Sequence, residues 1–177
     1  MVLAQANPSA DPPAPPLPAE YTEEARRAYA IGLGEARDLL REKRYTEALA
    51  RLDALIAQRP REAQARFLRA LVLAESGQTR EATEALRTLS ADFPELPEPR
   101  NNLAVIYAGQ GNYALARDEL LLALAAAPDY AVAHDNLGDV YVRLAIDHYA
   151  RASALEKSAP RIEQKLKAAR ELIAPVP

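Results

Sequence analysis

His134 and His148 are the first residues in this 177-residue chain to weigh for chemistry, because imidazole titrates near neutral pH and is a common metal ligand. They stand 14 residues apart, outside any local metal-ligand spacing. On a continuous helix both would point to nearly the same side, yet about 21 Å apart, too far to share one ion. A structural or surface position is the reading for each. There is no cysteine, which removes disulfides, thiol nucleophiles and thiolate metal sites. Gly32-Leu33-Gly34 suggests a phosphate loop, but the third glycine and a preceding strand are missing. Close packing of two helices is the better account of those glycines. No P-loop, dinucleotide fingerprint or Ser-His-Asp arrangement is present. The chain is therefore read as not an enzyme, with no catalytic residues, no metal site and no cofactor.

Composition narrows the partners. A net charge of −3 gives no overall attraction to nucleic acid or to an acidic membrane. No apolar run approaches the roughly 20 residues that span a bilayer. The length suffices for one domain with a substantial core. Abundant alanine and leucine with only two Phe and no Trp favours helices packed through small residues over a sheet.

The first twenty residues stand apart. Six prolines between Pro8 and Pro18 leave no helical periodicity, so residues 1–20 are expected to be a disordered, Pro-rich tether. A polyproline ligand for a partner domain is the functional alternative. Within it, Ala4-Gln5-Ala6 has the small residues that end a secretory signal peptide, without the apolar stretch that should precede them. A periplasmic location is the expectation, with the cytoplasm as alternative.

From residue 21 to 174 the chain reads as one helical domain with an internal period of 34. Rows starting at Tyr29, Ala63, Pro97 and Ala131 align Ala36, Ala70, Ala104 and Gly138 at the eighth position. They align Leu39, Leu73, Tyr107 and Tyr141 at the eleventh. The first three rows share Ala48, Ala82 and Ala116, then Leu52, Leu86 and Leu120, and end in Pro60, Pro94 and Pro128. Small side chains let two antiparallel helices approach; the large ones fill the space beside them. Gly77 and Gly111 supply the turns, and each closing proline stops the second helix. One hairpin cannot bury its apolar face alone, so the hairpins must stack. Upstream, Thr22 is a plausible N-cap for a helix running to about Arg41, with Glu23 and Glu24 at its positive end.

This pattern resembles the tetratricopeptide repeat family. Leu103, Ala104, Tyr107, Gly111, Tyr113, Ala116, Leu120, Ala123 and Pro128 occupy its signature positions, while Lys43 stands where a turn glycine is usual and Thr79 where an aromatic is. The resemblance implies an all-α fold: a right-handed α-solenoid, in a protein of bacterial origin. Its full repeats are 29–62, 63–96 and 97–130, followed by a degenerate fourth, 131–160. In that row no Gly or Pro falls between Gly138 and Pro160, and apolar residues continue at helical spacing. One fused helix of about 130–158 is predicted. A capping helix at 160–173 would follow, with Ile162, Leu166, Ala169 and Leu172 on one face and Arg161, Lys165, Lys167 and Arg170 solvated.

The resemblance also implies a concave groove lined by the first helix of each repeat. Carried over, its positions are Leu33 and Arg37; Gln64, Phe67, Leu68 and Leu71; Glu98, Asn101, Asn102 and Val105; and Val132, Asp135, Asn136 and Asp139. Such a groove is apolar toward the N-terminal half and polar to acidic toward the C-terminal half. Asn102 and Asn136 share a register where an amide could pair with a peptide backbone, or instead bond within the scaffold. Acidic Glu98, Asp135 and Asp139 disfavour an acidic or C-terminal carboxylate ligand and favour a segment of basic and apolar character. The expected function is a non-catalytic protein- or peptide-binding adaptor. The alternative is a self-assembly module, a homodimer through the fused helix and the C-terminal helix.

Overall fold

A computed structural model describes residues 22–156 and 159–173. The Pro-rich segment, Ala4-Gln5-Ala6 and Ser158, the expected end of the fused helix, lie outside the described residues. Among the described residues eight helices follow one another: α1 (Glu23–Arg41), α2 (Tyr45–Gln58), α3 (Ala63–Glu75), α4 (Thr79–Asp92), α5 (Pro97–Gly109), α6 (Tyr113–Ala126), α7 (Ala131–Leu155) and α8 (Pro160–Leu172). Each packs chiefly on its neighbours in sequence, the pattern of stacked hairpins.

The local causes are legible. Thr22 caps α1, its Oγ1 accepting from the Ala25 N–H at 3.1 Å, with Glu23 and Glu24 in the first turn. Three turns close alike: Arg44 N–H donates to Leu39 O, Gln78 to Leu73 and Asn112 to Tyr107, at 2.9, 2.9 and 2.8 Å. Such a turn needs a left-handed residue just past the helix. Gly77 (φ 81°) and Gly111 (φ 77°) supply it without strain; in the first repeat Lys43 does so at φ 59°. At the other end of each hairpin, α2, α4 and α6 stop before Pro60, Pro94 and Pro128.

Inside, the alanines of the first three rows are buried: Ala36, Ala48, Ala70, Ala82 and Ala116 at 0 % exposure, Ala104 at 1 %. Leu52, Leu86 and Leu120 beside them are also at 0 %. Gly32 extends this close approach between α1 and α2. A Cβ there would lie 2.8 Å from both Arg51 Nη2 and Leu55 Cδ2, which is the packing role expected of it. Gly34 has no such neighbour.

The fourth repeat departs as expected. α7 runs 25 residues without a turn, about 38 Å at 1.5 Å per residue. α8 turns back along its distal half, lining one crevice with it: Tyr141, Val142, Ala145 and Tyr149 face Lys165, Ala168, Ala169 and Leu172. Lys165 Nζ stands 5.5 Å from the Tyr149 ring centroid. Ala145 is half-buried in that crevice, whereas Ala104 and Ala116 of the third repeat are buried. Gly138 is exposed, and Tyr141 is 48 % exposed where Tyr107 is 5 %. Of the four apolar residues on α8, Ala169 is buried, Ile162 and Leu166 are half-buried, and Leu172 is 74 % exposed. Leu172, although exposed, still lines the crevice with Tyr141.

Candidate functional site

The odd-numbered helices carry every residue assigned to the groove. Leu33 and Leu68 are core side chains. Arg37 is exposed on α1; Phe67 and Leu71 are half-buried on α3, each packed on one of the two core clusters. On α5, Val105 is exposed, Glu98 and Asn102 are half-buried, and Asn101 is buried at 5 %. On α7, Asp135 and Asp139 are exposed and Asn136 is half-buried.

Amide chemistry at the α5–α7 junction serves the scaffold. Asn136 Nδ2 donates to Asn101 Oδ1 at 2.8 Å, tying the third repeat to the fourth. Asn102 Nδ2 donates to the Glu98 carbonyl at 2.8 Å, one turn back on α5. Each amide keeps one N–H and part of its oxygen for other partners.

What the helices bring together is Val105, Asn136 and Asp139. They line a pocket of about 290 Å³ whose remaining wall includes Ala108, Tyr113, Val140 and Arg143. Its apolar floor can take one side chain. Among the described residues, the carboxylates of Glu98, Asp135 and Asp139 make no ion pair and accept no hydrogen bond. Glu98 does act on Tyr130: burial first, then that nearby negative charge, hold the Tyr130 hydroxyl above the ordinary tyrosine range. Arg37 and Phe67 lie outside this pocket, on other helices.

A second, larger depression, about 1170 Å³, crosses α4 and was invisible to a reading confined to the first helices. It shares no lining residue with the α5–α7 pocket. Four arginines line it, Arg66, Arg69, Arg80 and Arg87, with Asp53, Glu81 and Glu84. Arg69 Nε meets Asp53 at 2.7 Å, and Arg66 pairs with Asp92. Arg87 instead donates twice to the hydroxyl of Tyr107, from Nε at 3.1 Å and Nη2 at 2.7 Å. The recurrence of arginine with a partner 16 or 20 residues away was the available signal.

Metal chemistry finds no support among the described residues, where no group of three His, Asp or Glu side chains is placed to hold an ion. His134 Nε2 lies 2.9 Å from the Pro128 carbonyl, where its N–H secures the turn before α7; His148 is exposed. No described helix is long and apolar enough to cross a membrane.

No curated protein matches this sequence. Among solved structures, the chain superposes on YrrB, described as a TPR protein with an unusual peptide-binding site, with a TM-score of 0.54 and 24 % identity. That match covers 64 % of this chain, which spans 60 % of YrrB. It resembles TTC0263, a thermophilic TPR protein of Thermus thermophilus, with a TM-score of 0.60 and 23 % identity over 82 % of this chain and 83 % of that one. The Yersinia enterocolitica type III secretion chaperone SycD, in complex with a peptide of the translocator YopD, matches with a TM-score of 0.54 and 14 % identity, over 86 % of this chain and 100 % of that one. At these identities the likeness speaks for the fold. The tetratricopeptide repeat family itself matches at residues 39–98 and 73–137, more than half of the sequence. With the 34-residue period, the stacked hairpins and the left-handed turn after the first helix of each of the first three repeats, this establishes that the chain belongs to the tetratricopeptide repeat family.

Proposed function

We propose that the protein is a non-catalytic adaptor that holds an extended segment of a partner protein on the face formed by α5 and α7. The observation that carries this reading is the pocket where Val105, Asn136 and Asp139 converge from two successive repeats. An apolar side chain of the ligand fills it. Glu98, Asp135 and Asp139, free of ion pairs among the described residues, favour lysine or arginine beside that anchor. The free N–H of Asn136 is left for the ligand backbone. The peptide-binding site described for YrrB and the YopD peptide bound to SycD are consistent with a segment-binding role for such a scaffold. The compartment proposed is the periplasm, on Ala4-Gln5-Ala6 alone.

The test is titration with octapeptides that combine leucine with lysine, against wild type and Val105→Arg. Val105 is 51 % exposed, so the arginine can be carried without disturbing the core, while it fills the pocket and opposes a basic ligand. Binding lost in the variant, with helicity unchanged, supports the site. Equal binding by both proteins moves the ligand elsewhere.

A further inference from the structure

The depression over α4 lies apart from the proposed groove and holds one arginine whose surroundings differ from all its peers. Four other arginines on helices hydrogen-bond across to a neighbouring helix, and each meets a carboxylate: Arg51 with Glu35, Arg66 with Asp92, Arg69 with Asp53, Arg100 with Glu119. Arg87 meets a neutral phenol. The ring of Tyr107 is buried at 5 % exposure, so its hydroxyl is a fixed acceptor that orients the guanidinium. Both bonds use one edge, Nε and Nη2. The outer fork, one N–H from each terminal nitrogen, bonds to no described residue and is the edge that binds a carboxylate bidentately.

Repetition provides an internal control. At the register of Arg87 the first repeat has Asp53, satisfied by Arg69, and the third has Leu121. At this register a guanidinium hydrogen-bonded to a buried tyrosine hydroxyl therefore occurs at one repeat junction and is no requirement of the fold. Seven residues earlier on the same face of α4 stands Arg80, whose side chain is 93 % exposed and whose sole ion-pair contact among the described residues is Glu81 at 3.5 Å. The two guanidinium-bearing positions are about 10 Å apart along the helix. Of the acids in the depression, Asp53 is engaged by Arg69, and Glu84 bonds to none of the arginines through its carboxylate.

We propose that Arg87, clamped by Tyr107, anchors a carboxylate side chain of an acidic protein segment laid along α4, with Arg80 meeting a second acid. Clamping matters because an arginine already held in one orientation loses less freedom on binding than a free surface one. The chain would then carry two ligand faces of opposite preference, basic segments at α5–α7 and acidic ones at α4.

The probe is an array of octapeptides, acetylated and amidated, with two aspartates or glutamates at varied spacing in an alanine–leucine background. Each has a counterpart with asparagine or glutamine. Acidic members should bind wild type more tightly than their neutral counterparts. Arg87→Lys, which keeps the charge and loses the fork, should weaken them about tenfold, the scale of one bidentate ionic hydrogen bond. Tyr107→Phe, which keeps the buried ring and removes the clamp, should weaken them severalfold. If Arg87 only satisfies Tyr107, these variants shift the melting temperature and no dissociation constant. That result overturns the proposal, as does an array in which no acidic peptide outbinds its neutral counterpart.

Discussion

The carboxamide of Asn136 donates to Oδ1 of Asn101 across 2.8 Å, from one repeat to the next. Asn101 is 5 % exposed, so its oxygen has little water to fall back on. Replacing Asn136 by alanine should cost about 1–3 kcal/mol, because it strands a buried acceptor. Replacing both by alanine should cost less than the two single losses added together, since no unmatched group then remains. Urea unfolding of the four members of the cycle checks this; strict additivity would show that the bond contributes nothing.

That bond also marks where sequence reasoning stops. A period of 34 sets equivalent residues side by side, so the shared register of Asn102 and Asn136 followed from the sequence, while the bond of Asn136 falls to the adjacent Asn101. Which of the amides turns inward to the scaffold did not, because that depends on burial set jointly by α5 and α7. The alanine, leucine and glycine positions were legible because their requirements are steric and local. The fourth repeat was half legible: absence of a turn after Gly138 gave the fused helix, but the exposure of Gly138 and Tyr141 depends on where α8 packs along α7. The α4 depression was missed because its arginines, taken singly, look like an ordinary solvated surface. Only pairing across helices separates Arg87 from Arg69.

Lys43 offers a direct stability test. It holds φ 59°, a conformation that costs a side-chain-bearing residue about 1–2 kcal/mol and glycine nothing. Glycine gives back part of that through its freer unfolded chain. Lys43→Gly should stabilise the first repeat by about 0.5–1 kcal/mol, read from the denaturant midpoint at unchanged slope. A loss of stability would mean that the lysine side chain contributes more than the backbone costs.

Gly32 and Gly138 should respond oppositely to alanine although both lie inside helices. At Gly32 the new Cβ would stand 2.8 Å from Leu55, which is 1 % exposed and has no room to yield. Overpacking of about 1–3 kcal/mol should outweigh the propensity gain of about 1 kcal/mol. At Gly138 the Cβ meets nothing within 4 Å, so the gain of about 0.5–1 kcal/mol should appear undiminished. Thermal melts of the two variants should shift in opposite directions. A stabilised Gly32→Ala would indicate that α1 and α2 can separate at little cost.

Tyr29 governs a prediction about alkaline pH. Its hydroxyl is buried beneath α3 without a hydrogen-bond partner of normal geometry, although the backbone of Ala65 is near enough to help its ionised form. Burial above all, then the negative charge of Glu62, raise its pKa; Ala65 and the Arg59 guanidinium, 4.8 Å from the ring centroid, oppose this in part. The sign follows from proton counting. The unfolded tyrosine ionises near pH 10 while the folded one stays protonated, so above about pH 10 the unfolded state binds fewer protons. The stability that depends on the neutral phenol is complete below that pH and is lost as pH rises through the folded value. Tyr29→Phe keeps the ring under Arg59, removes the unsatisfied hydroxyl and should flatten the decline between about pH 9 and 11, measured by urea unfolding at each pH. Tyr130, raised in the same direction, contributes a slope of the same sign. A decline as steep in Tyr29→Phe as in wild type would place the alkaline sensitivity at other groups.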